Sequence, residues 1–106
     1  MYIGISMGLD ANFNYKVMVS EEIQDFRKFY ELQDLMCDIW CKQNPDKKPN
    51  DFNCQELEIT EDILKQIKEL AKTVKDPYDR SKLWTAIGGI EMHLSEGTKV
   101  YYWNWY

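Results

Sequence analysis

The segment 20–42, SEEIQDFRKFYELQDLMCDIWCK, constrains the fold of this chain more than any other feature. With 100° per residue, its apolar side chains cover one side of a helix and widen onto a second flank. A surface helix needs an apolar stripe of only about 100°. The pattern therefore predicts one long helix over 20–42, capped by Ser20 and stopped at Asn44-Pro45, which other elements cover on at least two sides.

Gln33 is the polar residue that interrupts the apolar side of this predicted helix. One interpretation is a core glutamine that is hydrogen-bonded to a neighbouring group, because buried polar atoms are almost always paired. The other is a polar anchor in a small pocket, for which Asp10 and Arg27 would be the companions. If the chain has a small-molecule or enzymatic site, we expect it in that pocket.

The remaining segments predict strands and two further helices around the long one. Alternating side chains predict strands over 2–9, 54–59 and 99–106, and a short second strand from Phe13 to Val19 after a turn at Asp10-Ala11-Asn12. Helical spacing and capping residues predict helices over 60–75 and 80–96. The expected fold is a single α+β domain over 1–106, with an antiparallel or mixed sheet packed on three helices.

Two local features predict contacts between these elements. The pair Gly88-Gly89 in the middle of the last helix predicts close approach to a neighbour, plausibly the long helix, with a kink as the alternative. The last strand, KVYYWNWY, has large rings on both faces, which is typical of a strand inside a sheet and favours a core role for the rings. Its predicted partner is the strand over 2–9.

Composition limits the classes of function. The 106 residues carry a net charge of −5, and such a surface repels phosphate backbones, so direct nucleic-acid binding is disfavoured. The chain has no apolar run of about 18 residues and no leader pattern, so we expect neither a membrane span nor secretion. The predicted location is the cytoplasm.

Metal and cofactor chemistry is not expected. Cys37 and Cys41 lie one turn apart, a poor geometry for a disulfide, and reduced, buried thiols are the simplest interpretation. A zinc site from Cys37, Cys41, Cys54 and His93 is the alternative, but the close Cys-x-x-Cys spacing of structural zinc sites is missing. No nucleophile–base pair or phosphate loop occurs, so an enzyme is not predicted.

Four short segments occur together in a known group of proteins. They are Met7-Gly8-Leu9-Asp10, Phe26-Arg27-Lys28, Asn53-Cys54 with Ile59-Thr60, and 83–94 followed by 100–105. Together they resemble a family of small, uncharacterised phage and bacterial proteins that begin Met-Gly-Leu-Asp. The resemblance implies a phage or mobile-element origin and brings no enzymatic reaction. Gln33 stands where that family usually has a histidine.

The acidic surface indicates a binding function. Glu56, Glu58, Glu61 and Asp62 form a local acidic patch at the junction of a predicted strand and helix, which suits a partner protein with a basic surface. With the phage resemblance, this predicts an inhibitor of a host defence complex, such as a CRISPR-type nuclease, that occupies its basic nucleic-acid groove. The alternative is a phage accessory or structural protein whose carboxylates are only solvated.

Overall fold

The computed structural model of the chain describes residues 9–16 and 20–106. The first predicted strand, 2–9, lies outside the described residues except for Leu9. The valines at the end of the second predicted strand also lie outside them. In chain order the strands are β1 (Asp10–Lys16), β2 (Ser20–Arg27), β3 (Glu56–Glu58) and β4 (Val100–Trp105). The helices are α1 (Tyr30–Gln43), α2 (Glu61–Thr73) and α3 (Pro77–Ser95), with a short 3₁₀ helix at Pro49–Phe52.

The four strands form one antiparallel sheet in the order β2-β1-β4-β3. The helices pack on one face of it, and their apolar side chains join those of the sheet in one core that includes Phe13, Tyr102, Met36, Ile67 and Ile90. The predicted α+β class is confirmed. No helix in the described part of the chain is long and apolar enough to cross a membrane.

β1 begins where the sequence predicted a turn. Asp10, Ala11 and Asn12 belong to the strand, so the predicted turn is wrong. The reason is the alternation around them: Leu9, Ala11 and Phe13 are buried, while Asp10 and Asn12 point to the other side of the sheet. An antiparallel sheet with one polar face accepts Asp and Asn at such positions.

The predicted helix over 20–42 is two elements. Its first third is strand β2, and the helix begins only at Tyr30, so the predicted cap at Ser20 is wrong. The break lies at Lys28, whose φ of 58° is left-handed and ends the strand. Phe29 is the N-cap residue of α1 and has no side-chain capping bond.

A β-bulge explains why the sequence of β2 resembles a helix. Phe13 pairs with Gln24 and Asn14 pairs with Glu22, which leaves Ile23 as the extra residue. The bulge changes the alternation, so Ile23 contacts α3 while Phe26 is buried in the core on the same side of the sheet. Two apolar residues three apart on one side is the spacing of a helix, and here an irregular strand produces it.

The two C-terminal helices largely follow the predictions. Thr60 caps α2, and its hydroxyl accepts a hydrogen bond from the Ile63 amide at 3.3 Å. α3 begins earlier than predicted, because Asp76 caps it through the Asp79 amide at 3.0 Å and Pro77 occupies the first helical position. Strand β3 is limited to Glu56–Glu58, since Cys54 has a φ of 64°.

The glycine pair of α3 has two different surroundings. A Cβ on Gly89 would lie 2.7 Å from Cγ2 of Ile23, so this glycine permits close approach, but to strand β2 and not to a helix. A Cβ on Gly88 would have no atom of another described residue within 4 Å, apart from its neighbours in the helix. The predicted close contact is therefore confirmed for Gly89 alone.

Candidate functional site

The inner face of β4, which is turned toward the helices, holds a buried group of three polar residues that we call the polar triad: Gln33, Tyr102 and Asn104. Gln33 of α1 is 7% exposed and the other two are fully buried. The Tyr102 hydroxyl donates to Oε1 of Gln33 at 2.7 Å, and Nε2 of Gln33 donates to Oδ1 of Asn104 at 3.1 Å. The prediction that Gln33 is a bonded core residue is therefore confirmed.

Asn104 extends the polar triad to the loop before β3. Its Nδ2 donates to the backbone carbonyls of Phe52 at 3.0 Å and Gln55 at 3.1 Å. Each polar side-chain atom of the triad thus has a partner, and no buried side-chain nitrogen or oxygen among residues 9–16 and 20–106 lacks one. The triad joins α1, β4 and this loop, so its chemistry is structural.

Burial also keeps Tyr102 from acting as an acid or a base. Desolvation raises the pKa of its phenol far above the ordinary value of 10. At neutral pH the hydroxyl is therefore a permanent donor, which is what Gln33 requires.

Two of the three residues of the predicted pocket lie together. Asp10 of β1 and Arg27 of β2 are cross-strand partners, and both alternate with buried residues, so they lie on the face of the sheet turned away from the helices. They do not form an ion pair. Gln33 lies on the inner side in the polar triad, so the sheet separates it from the other two.

We call the side of the sheet turned away from the helices the outer face. Cross-strand register and alternation place eleven described side chains on it: Asp10, Asn12, Asn14, Glu22, Asp25, Arg27, Glu56, Glu58, Tyr101, Trp103 and Trp105. Exposure varies along it: Asn14 is buried at 5%, whereas Trp105 is 53% exposed.

The aromatic residues of the outer face form a column along β4. Tyr101, Trp103 and Trp105 occupy alternate positions of the strand, with the first two half-buried. Their spacing along the strand is about 7 Å. Large rings were predicted on both faces of this strand with a core role, but for these three that role is wrong, because the buried core lies on the opposite face of the sheet.

Carboxylates flank this aromatic column on both sides. Glu56 pairs with Trp103 and Glu58 pairs with Tyr101 on the β3 side, while Asp10 pairs with Trp105 on the β1 side. Glu22 and Asp25 follow on β2. Arg27 is the only cation among the described side chains of this face, so the face is acidic. Lys82 of α3 approaches it from the edge, 3.8 Å from the Asp25 carboxylate.

The predicted acidic patch is divided between two layers of the fold. Glu56 and Glu58 are exposed on the outer face, beside the aromatic column. Glu61 and Asp62 are also exposed, but they lie in the first turn of α2, where their charge favours the helix dipole. Asp62 also accepts a hydrogen bond from Gln66 at 3.2 Å. The two halves therefore have different surroundings and are available for separate tests.

The residues of the alternative zinc site are not assembled. His93 stacks on Tyr15 with ring centroids 3.9 Å apart, whereas the Cys37 thiol donates to the Pro49 carbonyl at 3.7 Å. Burial, followed by the neighbouring Cys41, raises the pKa of Cys37 to about 11, so its thiol is protonated at neutral pH. No three His, Cys, Asp or Glu side chains within 9–16 and 20–106 are arranged to hold a metal ion.

Sequence reasoning did not include Trp103, Trp105, Glu22 and Asp25 among the candidate residues. The rings were visible in the alternation of β4, but their exposure depends on which side the helices cover. Glu22 and Asp25 belonged to the predicted long helix, so their place beside β1 was hidden. Comparison with protein-family models, curated proteins and solved structures finds no match for this chain.

Proposed function

We propose that this chain is a protein-binding module whose outer face docks on a basic surface of another protein. The observation that carries the proposal is the distribution of charge on that face. Exposed carboxylates of β3 border the aromatic column, those of β2 lie beyond β1, and together they outnumber Arg27, the one cation among the described side chains of the face. Aromatic residues within a polar rim are the usual composition of a protein interface. Opposite charge on the partner would supply orientation and rapid association.

The helical layer differs from the outer face because several of its charged side chains form ion pairs within the chain. Several lysines of the helices lie beside carboxylates within the chain: Lys68 is 2.6 Å from Glu91, and Lys72 is 2.9 Å from Glu69. On the outer face, Glu58 and Glu22 make no ion pair with another described residue. Their negative charge supports a role outside the chain.

The narrower form of the proposal concerns the partner. A surface that binds nucleic acid is basic, because it must neutralise phosphates, and an acidic protein with aromatic residues is complementary to it. We propose that the partner is such a host complex, of the CRISPR-nuclease type, and that the chain inhibits it by occupying the groove. The resemblance to a phage family supports this form of the proposal.

The first experiment is capture from a bacterial host lysate with immobilised chain, at low salt and at about 0.5 M salt, where screening removes most surface electrostatics. We expect a partner that the high salt releases. The double variant Glu56→Lys/Glu58→Lys should lose it, and Glu61→Lys/Asp62→Lys, with the same change of charge on α2, should retain most of it. Capture that neither salt nor the first variant affects would refute the proposal.

The second experiment tests the inhibitor form. Duplex DNA or guide RNA, added in excess to the captured complex, should displace the chain from a partner that uses the same groove. The activity of the purified partner should fall as the wild-type chain is added. It should stay unchanged when the variant Glu56→Lys/Glu58→Lys is added instead. If the partner binds the chain and nucleic acid at the same time and its activity is unchanged, the chain does not inhibit by occupying the groove. The protein-binding function would still stand.

A further inference from the structure

We infer that the outer face selects arginine over lysine in its partner. This inference rests on the protein-binding function proposed above and names the side chain that is recognised. Its basis is the way in which aromatic rings and carboxylates alternate between neighbouring strands. The selectivity would come from the relative positions of the rings and the carboxylates, and not from the net charge of the face.

Trp105 provides an accessible aromatic ring on the outer face. It is 53% exposed, whereas Tyr102 and Asn104 on the inner face of the same strand are fully buried. A large ring that remains accessible at the end of a central strand has a free surface for stacking. Trp103 lies two residues away on the same face and is half-buried, so the two indoles lie about 7 Å apart along the strand and together form the apolar part of the platform.

Each of these indoles has a carboxylate directly across on the neighbouring strand. Asp10 of β1 pairs with Trp105, and Glu56 of β3 pairs with Trp103. Cross-strand partners have Cβ atoms about 5 Å apart. A planar cation that lies on an indole would therefore reach a carboxylate with its edge. The two carboxylates approach the platform from opposite sides, one from β1 and one from β3.

Guanidinium fits this arrangement better than ammonium does. It is planar and weakly hydrated, so it stacks on an aromatic face, and its fork of N–H groups matches a carboxylate with two hydrogen bonds. The ammonium of lysine is a compact, strongly hydrated point charge that gains from the carboxylates but stacks poorly. An acidic patch without rings would distinguish the two only through hydrogen bonds to the carboxylates, whereas this face adds an indole on which the guanidinium stacks.

The test is fluorescence anisotropy with two labelled peptides of equal length and charge, one with arginines and one with lysines at the same positions, in about 0.1 M salt. We expect the arginine peptide to bind about fivefold more tightly, which is the effect of one exposed cation–π contact. Trp105→Ala should remove most of this preference and leave the affinity for the lysine peptide nearly unchanged. Trp105→Phe, which retains a ring, should keep part of it.

Two charge variants complete the design. Glu58→Lys on the outer face should weaken both peptides, and Glu61→Lys on α2 is the control with the same change of charge. Equal affinity for the two peptides, or a preference that survives Trp105→Ala in a variant of unchanged melting temperature, would overturn the inference. Neither outcome affects the salt-sensitive capture of a partner, so failure of the selectivity is distinguishable from failure of the protein-binding function.

Discussion

The two faces of β4 use polar and aromatic residues in opposite ways. On the inner face, Tyr102 and Asn104 are fully buried and each polar atom is hydrogen-bonded within the chain. On the outer face, Trp105 is half exposed beside Asp10 of β1. The difference shows that a buried polar group specifies the fold when it is fully paired, whereas exposed groups are available to a partner. Substitutions on the two faces should therefore change different properties.

Asn104→Leu should have the largest effect on stability. It removes the donor to the Phe52 and Gln55 carbonyls and the acceptor for Gln33, so Nε2 of Gln33 and the Gln55 carbonyl each lose a partner, whereas the Phe52 carbonyl keeps the Gln55 amide as a donor. Each such group costs about 1–3 kcal/mol, and we expect a total loss of about 3–5 kcal/mol in the free energy of unfolding. Urea denaturation measures it. A loss below about 1 kcal/mol would contradict the structural role of the triad.

Gly89→Ala should follow, because its Cβ would lie 2.7 Å from the branched side chain of Ile23, between α3 and β2. We expect a loss of about 1–3 kcal/mol, which is typical of overpacking. The neighbouring Gly88→Ala is the matched control, since its Cβ would meet no atom of another described residue within 4 Å, apart from its neighbours in the helix. Helix propensity should then stabilise this variant by up to about 1 kcal/mol. If both variants change the melting temperature in the same direction, the contact between Gly89 and Ile23 is wrongly assigned.

Tyr102→Phe should cost about 1–2 kcal/mol at neutral pH, since Oε1 of Gln33 loses its donor. It also has a pH signature. Burial raises the pKa of Tyr102 above that of an unfolded tyrosine, so its contribution to stability is complete below about pH 10 and is lost as the pH rises further. Wild-type stability should therefore fall more steeply above pH 10 than that of Tyr102→Phe. Parallel curves in denaturant titrations would contradict this.

Glu58→Lys should have the smallest effect on stability and a large one on binding. Glu58 is exposed on β3 and makes no ion pair with a described residue, so we expect the free energy of unfolding to change by less than about 0.5 kcal/mol. The same variant should weaken partner capture markedly. A loss of more than about 1 kcal/mol in denaturation would indicate that the outer face has a structural role as well, and would weaken the contrast with the inner face.

The parts of the fold that sequence reasoning predicted best are those with local signals. Thr60 caps α2 and a regular apolar stripe follows, and both appear in the structure as expected. The alternation of β4 and the bonded state of Gln33 were predicted for similar reasons. Capping residues, periodicity and the need to pair a buried amide can all be predicted from the sequence, because they depend on residues close together in the chain.

The boundary between β2 and α1 was not predictable in this way. The bulge at Ile23 places two apolar residues three apart on the same side, and this spacing has no local mark that separates it from a helix. Pairing with β1 overrides helix propensity, and it joins residues up to 17 positions apart, such as Asp10 and Arg27, which the three- and four-residue spacing of a helix does not reveal. The turn-like residues of Asp10–Asn12 were misinterpreted for the same reason.

Composition and periodicity alone specify the class of the fold, the acidic charge and the alternation that gives β4 two different faces, because both are properties of the linear chain. Which face of β4 the helices cover depends instead on packing. The tertiary structure also brought Glu56 and Asp10 to opposite sides of the tryptophans, through the order β2-β1-β4-β3. Strand order and burial depend on long-range pairing and packing, which here join Glu56 to Trp103 across 47 positions and Asp10 to Trp105 across 95.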